Sequence, residues 1–242
     1  MRPSRLIVEH QSQLARVFAE WLTRVLTQAI DARGRAALAL PGGSAALALL
    51  PELVRASLDW GKIHLFWGDE RAVPPDDPES NYGLARRLLI APLDLPAAQV
   101  HRIPADTVQL EQAAERYSET LERELGSPPR LDVALLGLGP DGHVCSLFPG
   151  HRLLDHGGWV AALDDSPKPP SQRITLTLSS LHQARVIALA AFGSAKAEVV
   201  REVLEDPRCS LPAARVLRQA GESVAFLDPD ASSLLTAPHV NR

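Results

Sequence analysis

The fold is decided by the stretch Leu131-Asp-Val-Ala-Leu-Leu-Gly-Leu-Gly-Pro-Asp-Gly-His-Val-Cys-Ser-Leu-Phe-Pro-Gly150, which joins an apolar run to a loop rich in glycine and proline. The apolar residues 131–136 predict a buried strand. The glycines and prolines that follow disfavour a helix, so Asp141 and His143 lie on a tight loop where the strand ends. Open α/β sheets bind their ligands at such strand ends.

The rest of the chain alternates strand patterns with helix patterns. Strands are predicted near residues 36–40, 63–67, 131–136, 159–163, 174–178, 186–191 and 223–227. Helices are predicted near residues 11–31, from about 45 with Ser44 as the N-cap, from Ser80 or Asn81 to 90, and near 109–125, 194–205 and 231–235. This alternation predicts a Rossmann-like α/β fold, a mostly parallel sheet with helices on both faces, in one domain spanning residues 1–242. The polar, proline-rich loop 164–172 is a candidate lid.

The composition is that of an ordinary globular protein. The chain has 242 residues, 45% of them apolar, and a net charge of −4, so it can bury a sizeable core and lacks the basic stripe of a nucleic-acid-binding protein. Cys145 and Cys209 form neither a disulfide framework nor a metal cluster, and we expect no metal and no cofactor. Without an apolar signal core or membrane span, we expect a cytoplasmic protein with no membrane partner, either a monomer or a weak homo-oligomer.

Three loops follow three different predicted strands, at residues 41–44, 68–71 and 137–143. Parallel strands end at one edge of a sheet, so these loops are expected to converge on one crevice. Gly42, Gly43 and Ser44 lie between a strand and a helix, where backbone N–H groups and the helix dipole favour an anion. No Lys-Ser/Thr pair follows, which favours a single phosphoryl group over a nucleoside triphosphate. When this segment is taken alone, an ordinary strand-to-helix turn is the favoured interpretation.

Charged side chains on the same loops can add to an anion site. Arg71 can bind phosphate in a bidentate manner, and its neighbours Asp69 and Glu70 can orient a hydroxyl group or an imidazole. Arg173 begins a predicted strand. Lys196 lies in the first turn of a predicted helix, where the dipole disfavours a cation unless an anion is near. Taken alone, these positions also fit solvated charges at the surface.

His143 is the strongest candidate for a general base. A neutral imidazole titrates near physiological pH and suits the deprotonation of water. A lone histidine is more often structural, but Asp141 lies two residues earlier on the same turn and can fix the loop or the imidazole tautomer. Five other histidines are predicted to be surface residues: His10, His101, His156, His182 and His239.

Two competing patterns in the same loop are weaker. Gly137-x-Gly139-x-x-Gly142 has the spacing of a dinucleotide fingerprint, but Pro140 leaves little room for the helix that the fingerprint requires. Ser146 lacks the Gly-x-Ser-x-Gly elbow of a serine hydrolase. Neither NAD binding nor a nucleophilic serine is therefore favoured.

Taken together, these segments resemble the 6-phosphogluconolactonase family. The similarity covers nearly the whole chain and is carried by Pro41-Gly-Gly-Ser44, Trp67-Gly-Asp-Glu-Arg71-x-Val-Pro74, Ser80-Asn81, Gly137-x-Gly-x-Asp-Gly-His143-x-x-Ser146-Leu-Phe-Pro149-Gly150, Arg173-Ile-Thr175 and Gly193-x-x-Lys196. Glucosamine-6-phosphate deaminases share the fold. They typically carry Ala-Phe-Asn-Glu-Pro where this chain has Ser146-Leu-Phe-Pro, and usually a tyrosine at the position of Arg71.

The resemblance implies hydrolysis of 6-phospho-D-glucono-1,5-lactone to 6-phosphogluconate in the oxidative pentose phosphate pathway. It implies that His143 and Asp141 are catalytic and that no metal or cofactor takes part. The substrate-binding residues that it implies are Gly42, Gly43, Ser44, Asp69, Arg71, Asn81, Arg173 and Lys196. The alternatives are a glucosamine-6-phosphate deaminase/isomerase, a non-catalytic phosphosugar-binding domain and a dinucleotide oxidoreductase.

Overall fold

The computed structural model describes residues 3–236. The strands in this range are β1 (Arg5–Val8), β2 (Ala36–Leu40), β3 (Ile63–Trp67), β4 (Asp69–Arg71), β5 (Val133–Gly137), β6 (Val160–Leu163), β7 (Arg173–Leu176), β8 (Val186–Ala191) and β9 (Glu222–Leu227). The α-helices are α1 (Gln11–Arg33), α2 (Gly43–Leu53), α3 (Asn81–Ala85), α4 (Leu110–Leu125), α5 (Leu178–Gln183), α6 (Ala197–Glu205), α7 (Pro212–Gln219) and α8 (Pro229–Ser232). A π-helical turn, Arg86–Ile90, extends α3.

Six strands form a parallel sheet in the order β1-β9-β8-β5-β2-β3. Every residue of β2 and β8 is buried, although successive side chains of a strand point to opposite faces. Both faces of the sheet are therefore covered, as the continuous apolar strand patterns predict. The predicted α/β fold with a mostly parallel sheet is confirmed.

Helix α1 shows how the sequence pattern produces this packing. Its apolar residues recur at helical spacing, and Phe18 and Trp21 each meet the ring of Phe226 in β9 at 5.1 Å between ring centroids. The helix ends at Gly34, whose φ of 78° is the left-handed conformation that glycine adopts readily. No helix in the described part of the chain is long and apolar enough to cross a membrane.

A second, antiparallel sheet in the order β4-β7-β6 corrects the sequence analysis, which treats 68–71 as a loop. Strand β4 pairs with β7, so that Asp69 lies opposite Thr175 and Arg71 opposite Arg173. Three charged residues carry no alternation of apolar and polar side chains, and the pattern of a strand is therefore absent. Only Gly68 separates β3 from β4, so this small sheet begins at the carboxyl edge of the parallel one.

The helix starts were predicted with mixed success. Ser80 is the N-cap of α3, as one of the two predicted alternatives, and accepts a hydrogen bond from the Gly83 N–H at 3.0 Å. The prediction that Ser44 is an N-cap is wrong, because α2 begins at Gly43, two residues before the predicted start, and its N-cap is Gly42. Besides β4, one strand and two α-helices were missed: β1, α5 and α7. Each spans eight residues or fewer, which is too short for a clear periodic pattern.

The histidines predicted at the surface divide into two groups. His10 and His156 are exposed, whereas His101 and His182 are only partly exposed. His101 stacks on the Phe66 ring with the centroids 4.6 Å apart, and this packing has no sequence signature. The prediction for His239 falls outside the described residues.

Candidate active site

The three segments predicted to converge, of which 68–71 is strand β4 rather than a loop, do so at the carboxyl edge of the parallel sheet. The residues that line the resulting cleft include Gly42, Gly43, Ser44, Asp69, Arg71, Asn81, Gly139, His143, Cys145, Arg173 and Lys196. Nine of the ten predicted site residues are in this lining, and the tenth, Asp141, hydrogen-bonds to His143. Parallel strands end together, so this convergence follows from the topology.

His143 and Asp141 form a directly hydrogen-bonded pair. Nδ1 of His143 lies 2.5 Å from Oδ1 of Asp141, which places the proton on Nδ1 and leaves the Nε2 lone pair free to act as a base. The imidazole packs against Phe148 at 4.8 Å between ring centroids. Lys168 Nζ lies 3.2 Å from the same Asp141 oxygen and 3.3 Å from Nδ1 of His143.

The surroundings of this pair set its protonation. Burial lowers the pKa of His143, Asp141 opposes this effect by hydrogen bond and charge, and Lys168 adds to the lowering. The imidazole is therefore neutral at pH 7 and able to accept a proton. Burial acts against ionisation of Asp141, yet the His143 hydrogen bond and charge, with Lys168, lower the pKa of Asp141 to about 2.

Glycine at position 139 is required by the space around the pair. A methyl group on Gly139 would overlap the His143 ring and lie 2.7 Å from Oδ1 of Asp141. The loop closes through hydrogen bonds from the Gly139 N–H to the His143 carbonyl and from the Gly142 N–H to the Gly139 carbonyl. Gly142 has a φ of 82°, which a glycine adopts without strain.

Across the cleft, helix α2 presents its N-terminus. Gly42 is the N-cap, no side chain caps the helix, and the first N–H groups of the helix have no partner within it. Gly43, with a φ of 58°, belongs to this first turn. A methyl group on Gly42 would overlap the Asn81 amide, so the backbone and Asn81 approach each other closely. This arrangement favours an anion.

Asp69 and Asn81 belong to a buried hydrogen-bond network. The Asn81 amide donates to the Asp69 carbonyl at 2.8 Å and to Oδ1 of Asp69 at 3.1 Å. The Ser146 hydroxyl donates to Oδ2 of Asp69 at 2.6 Å. Oδ1 of Asn81 is buried without a hydrogen-bond partner in the described part of the chain, and it remains available as an acceptor.

The three predicted cationic residues differ in how they are held. Arg173 is buried, its Nε and Nη2 donate to the carbonyls of residues 168–170, and its Nη1 lies 3.8 Å from Oδ2 of Asp69. Arg71 donates to the Glu79 carbonyl at 2.5 Å, while its buried Nε has no partner among residues 3–236. Lys196 Nζ donates to the Leu138 carbonyl at 2.7 Å, which leaves two of its three N–H groups.

Lys168 is the functional candidate that the sequence analysis missed. It lies in loop 164–172, which packs against the cleft through Arg173, and its ammonium contacts both members of the Asp141–His143 pair. The available signal was compositional, because only Lys62, Lys168 and Lys196 are lysines in a chain whose other cations are arginines. That the loop closes over a ligand as a lid stays a prediction.

Comparisons with known proteins identify the family of the chain. Residues 9–225 match the family model described as glucosamine-6-phosphate isomerases/6-phosphogluconolactonase. The chain belongs to this family. The human protein named 6-phosphogluconolactonase is 45% identical over 216 residues, which cover 86% of this chain and 83% of the relative. The structure titled 6-phosphogluconolactonase from Trypanosoma cruzi superposes with a TM-score of 0.87 at 27% identity, covering 98% of this chain and 99% of that one.

A deaminase shares the fold of this family member. A structure titled as a monomeric glucosamine-6-phosphate deaminase superposes with a TM-score of 0.81 at 20% identity, covering 95% of this chain and 99% of that one. This likeness shows the fold alone. The choice between lactonase and deaminase chemistry therefore depends on the more similar relatives and on the cleft.

Proposed function

We propose that the protein hydrolyses 6-phospho-D-glucono-1,5-lactone to 6-phosphogluconate, the lactone hydrolysis of the oxidative pentose phosphate pathway. One observation carries the proposal: a neutral, Asp141-bonded His143 lies in the same cleft as the uncapped N-terminus of helix α2. A base for water and a binding site for a phosphate are the two elements that hydrolysis of a phosphosugar lactone needs. The names of the relatives in this family support the same reaction.

The chemical step is assigned to His143 and water. Nε2 of His143 takes a proton from water, whose oxygen forms a bond to the lactone carbonyl carbon. As the tetrahedral intermediate opens, the bond from that carbon to the ring oxygen breaks, and His143 returns the proton to the ring oxygen. Asp141 holds the tautomer that exposes Nε2. A general base of this kind contributes about 10²–10⁴-fold to the rate.

The phosphate is assigned to the opposite side of the cleft. Backbone N–H groups at Gly42 to Ser44 and the helix dipole favour its charge, and Arg71 and Lys196 retain N–H groups that can bind it. Arg173 adds charge, although much of its guanidinium is committed to the loop. Asp69 and Asn81 supply oxygens beside the sugar. Anchoring the phosphate fixes the carbonyl near His143, which lowers the entropic part of the barrier.

The remaining expectations are part of the same proposal. The chain acts as one domain over residues 1–242, as a monomer or a weak homo-oligomer, in the cytoplasm. Its partner is a small phosphosugar lactone, and it binds no nucleic acid and no membrane. The net charge of −4 agrees with the absence of a nucleic-acid partner.

The test measures hydrolysis of freshly prepared 6-phosphogluconolactone by the purified chain, with a metal chelator present. We expect turnover above the spontaneous rate that collapses in His143→Ala and persists in His156→Ala, a matched change at an exposed histidine. Activity in all three proteins would support the proposed reaction but show that His143 is not its general base. No turnover by the unchanged chain would refute the proposal, and ammonia release from glucosamine 6-phosphate would then separate a deaminase from a binding domain.

A further inference from the structure

Two histidines and one glutamate meet at the edge of the parallel sheet, away from the cleft. His64 is the second residue of the edge strand β3, His101 follows the short 3₁₀ helix Ala97–Gln99, and Glu124 lies in the last turn of α4. The three positions are 37 and 23 residues apart in sequence, so no sequence motif predicts that they lie together. Only the fold brings them together.

The backbone and the neighbouring rings hold the two imidazoles in place. The His101 N–H donates to the Leu65 carbonyl at 2.9 Å, next to His64 in the strand. The His101 ring stacks on Phe66, and the ring planes of His64 and His101 lie within 9° of each other. Nδ1 of His64 and Nε2 of His101 are 2.9 Å apart. One ring nitrogen donates to the other in this contact, so at least one imidazole presents a lone pair to its partner.

We propose that His64, His101 and Glu124 bind one divalent transition-metal ion of the zinc class, with the fourth position open to water. The three potential ligand atoms lie within 4.8 Å of one another. A tetrahedral Zn²⁺ with bonds of about 2.0–2.2 Å holds its ligand atoms about 3.3–3.5 Å apart. The two nitrogens are 2.9 Å apart and face each other, so binding requires both rings to turn toward a common ion and the partly exposed Glu124 side chain to rotate toward it.

The ligand chemistry selects the class of ion. Two imidazoles and a carboxylate suit Zn²⁺, Co²⁺ and Ni²⁺, whereas Mg²⁺ and Ca²⁺ prefer oxygen ligands alone. Arg123 Nε lies 3.0 Å from Oε1 of Glu124 and Arg35 Nη1 lies 3.8 Å from Oε2. These guanidinium groups orient the carboxylate as outer partners of a metal ligand do, and their charge weakens the attraction for a cation. We therefore expect micromolar rather than nanomolar affinity.

The position of the site indicates a structural role. His64 precedes Gly68, where the cleft begins, by four residues, which is about 13 Å of extended strand. An ion here does not touch the Asp141–His143 pair. It instead links the edge strand β3, the segment around His101 and the end of α4, of which the first two are also joined by the hydrogen bond from the His101 N–H to the Leu65 carbonyl. The ion is expected to stabilise the fold and to leave the hydrolytic step unchanged.

The experiment titrates the untagged full chain with Co²⁺ and follows the visible absorption of the bound ion, and it then measures thermal unfolding with and without Zn²⁺. We expect one saturable equivalent with the intense bands of a tetrahedral site. When free Zn²⁺ is about a hundred times Kd, the Tm is expected to rise by about 5–10 °C. The variants are His64→Gln, His101→Gln and Glu124→Gln, with His156→Gln as the matched surface control and His143→Gln as the control for binding in the cleft.

The two readouts decide the proposal together. It requires that His64→Gln and His101→Gln each lose the Co²⁺ bands and the rise in Tm, while His156→Gln and His143→Gln keep both. If His101→Gln fails to fold because the stacking on Phe66 is lost, His64→Gln and Glu124→Gln carry the test, and both must then lose the Co²⁺ bands and the rise in Tm. The proposal is overturned by non-saturable binding to the unchanged chain. It is equally overturned if the bands survive in His64→Gln or disappear in His143→Gln.

Discussion

The sharpest prediction concerns Gly139, whose missing side chain makes room for the Asp141–His143 pair. In Gly139→Ala the new methyl group would overlap the His143 ring and approach Oδ1 of Asp141 to 2.7 Å. The φ of Gly139 is not in the left-handed region, so alanine can adopt this backbone. The conflict is therefore confined to two side chains, and the imidazole must yield because the loop backbone is held by its own hydrogen bonds.

The size of the effect follows from the geometry. To restore ordinary van der Waals contact, the ring must move by more than about 1 Å. A misplacement of about 1 Å costs about 10²-fold in rate, and complete loss of a general base costs about 10²–10⁴-fold. We therefore expect kcat of Gly139→Ala to be about 10²–10⁴-fold lower than kcat of the unchanged chain. The phosphate site lies across the cleft, so KM should change much less.

The assay compares lactone hydrolysis and thermal unfolding of the unchanged chain and four variants. Gly157→Ala is the matched control, because Gly157 has no heavy atom within 4 Å of the added methyl group and a φ outside the left-handed region. His143→Ala and the double variant with Gly139→Ala should have the same activity, since one change already removes what the other would remove. A folded Gly139→Ala protein with kcat within threefold of the unchanged chain would refute the reasoning.

Three further predictions address protonation and stability. Burial lowers the pKa of His143, so kcat/KM should be constant near neutral pH and fall through a midpoint below 6.5 as the imidazole becomes protonated; a midpoint above 6.5 would contradict this. The Lys168 charge also lowers the pKa of His143, so in Lys168→Met the midpoint should move to higher pH. An unchanged midpoint would show that Lys168 does not influence the protonation of His143. Tyr117→Phe should cost about 1–3 kcal/mol in urea unfolding, because the Trp67 N–H loses its buried acceptor; an unchanged free energy of unfolding would show that this N–H finds another partner.

The sequence predicts the parts of the site that follow directly from strand ends. Gly42, Asp69 and His143 follow the ends of three parallel strands far apart in the chain, and one rule about parallel strands brings them to one cleft. Asp141 and His143 are two residues apart, so their contact is nearly local. The roles of these residues stay predictions until the variants are assayed.

The remaining features of the fold and of the site depend on contacts that no local sequence pattern predicts. Strand β4 is three charged residues long and exists because it pairs with β7, about a hundred residues later. Lys168 reaches the Asp141–His143 pair because the carbonyls of its loop are bound by Arg173. His64 and His101 meet only when the segment after residue 99 returns to the edge of β3. Each of these contacts depends on long-range packing.

The small antiparallel sheet explains why so many buried polar groups surround a site that needs only one base. Asp69 accepts from Asn81 and Ser146, and Arg173 holds the loop on the other side. Unpaired, each of these groups would carry a large desolvation cost; paired, they fix one another rigidly. Asp69 and Arg173 sit in adjoining strands of this sheet, so the network ties the end of β3 to the loop that brings Lys168 to His143. The positions of the base and of its neighbouring cation are thereby coupled through one sheet.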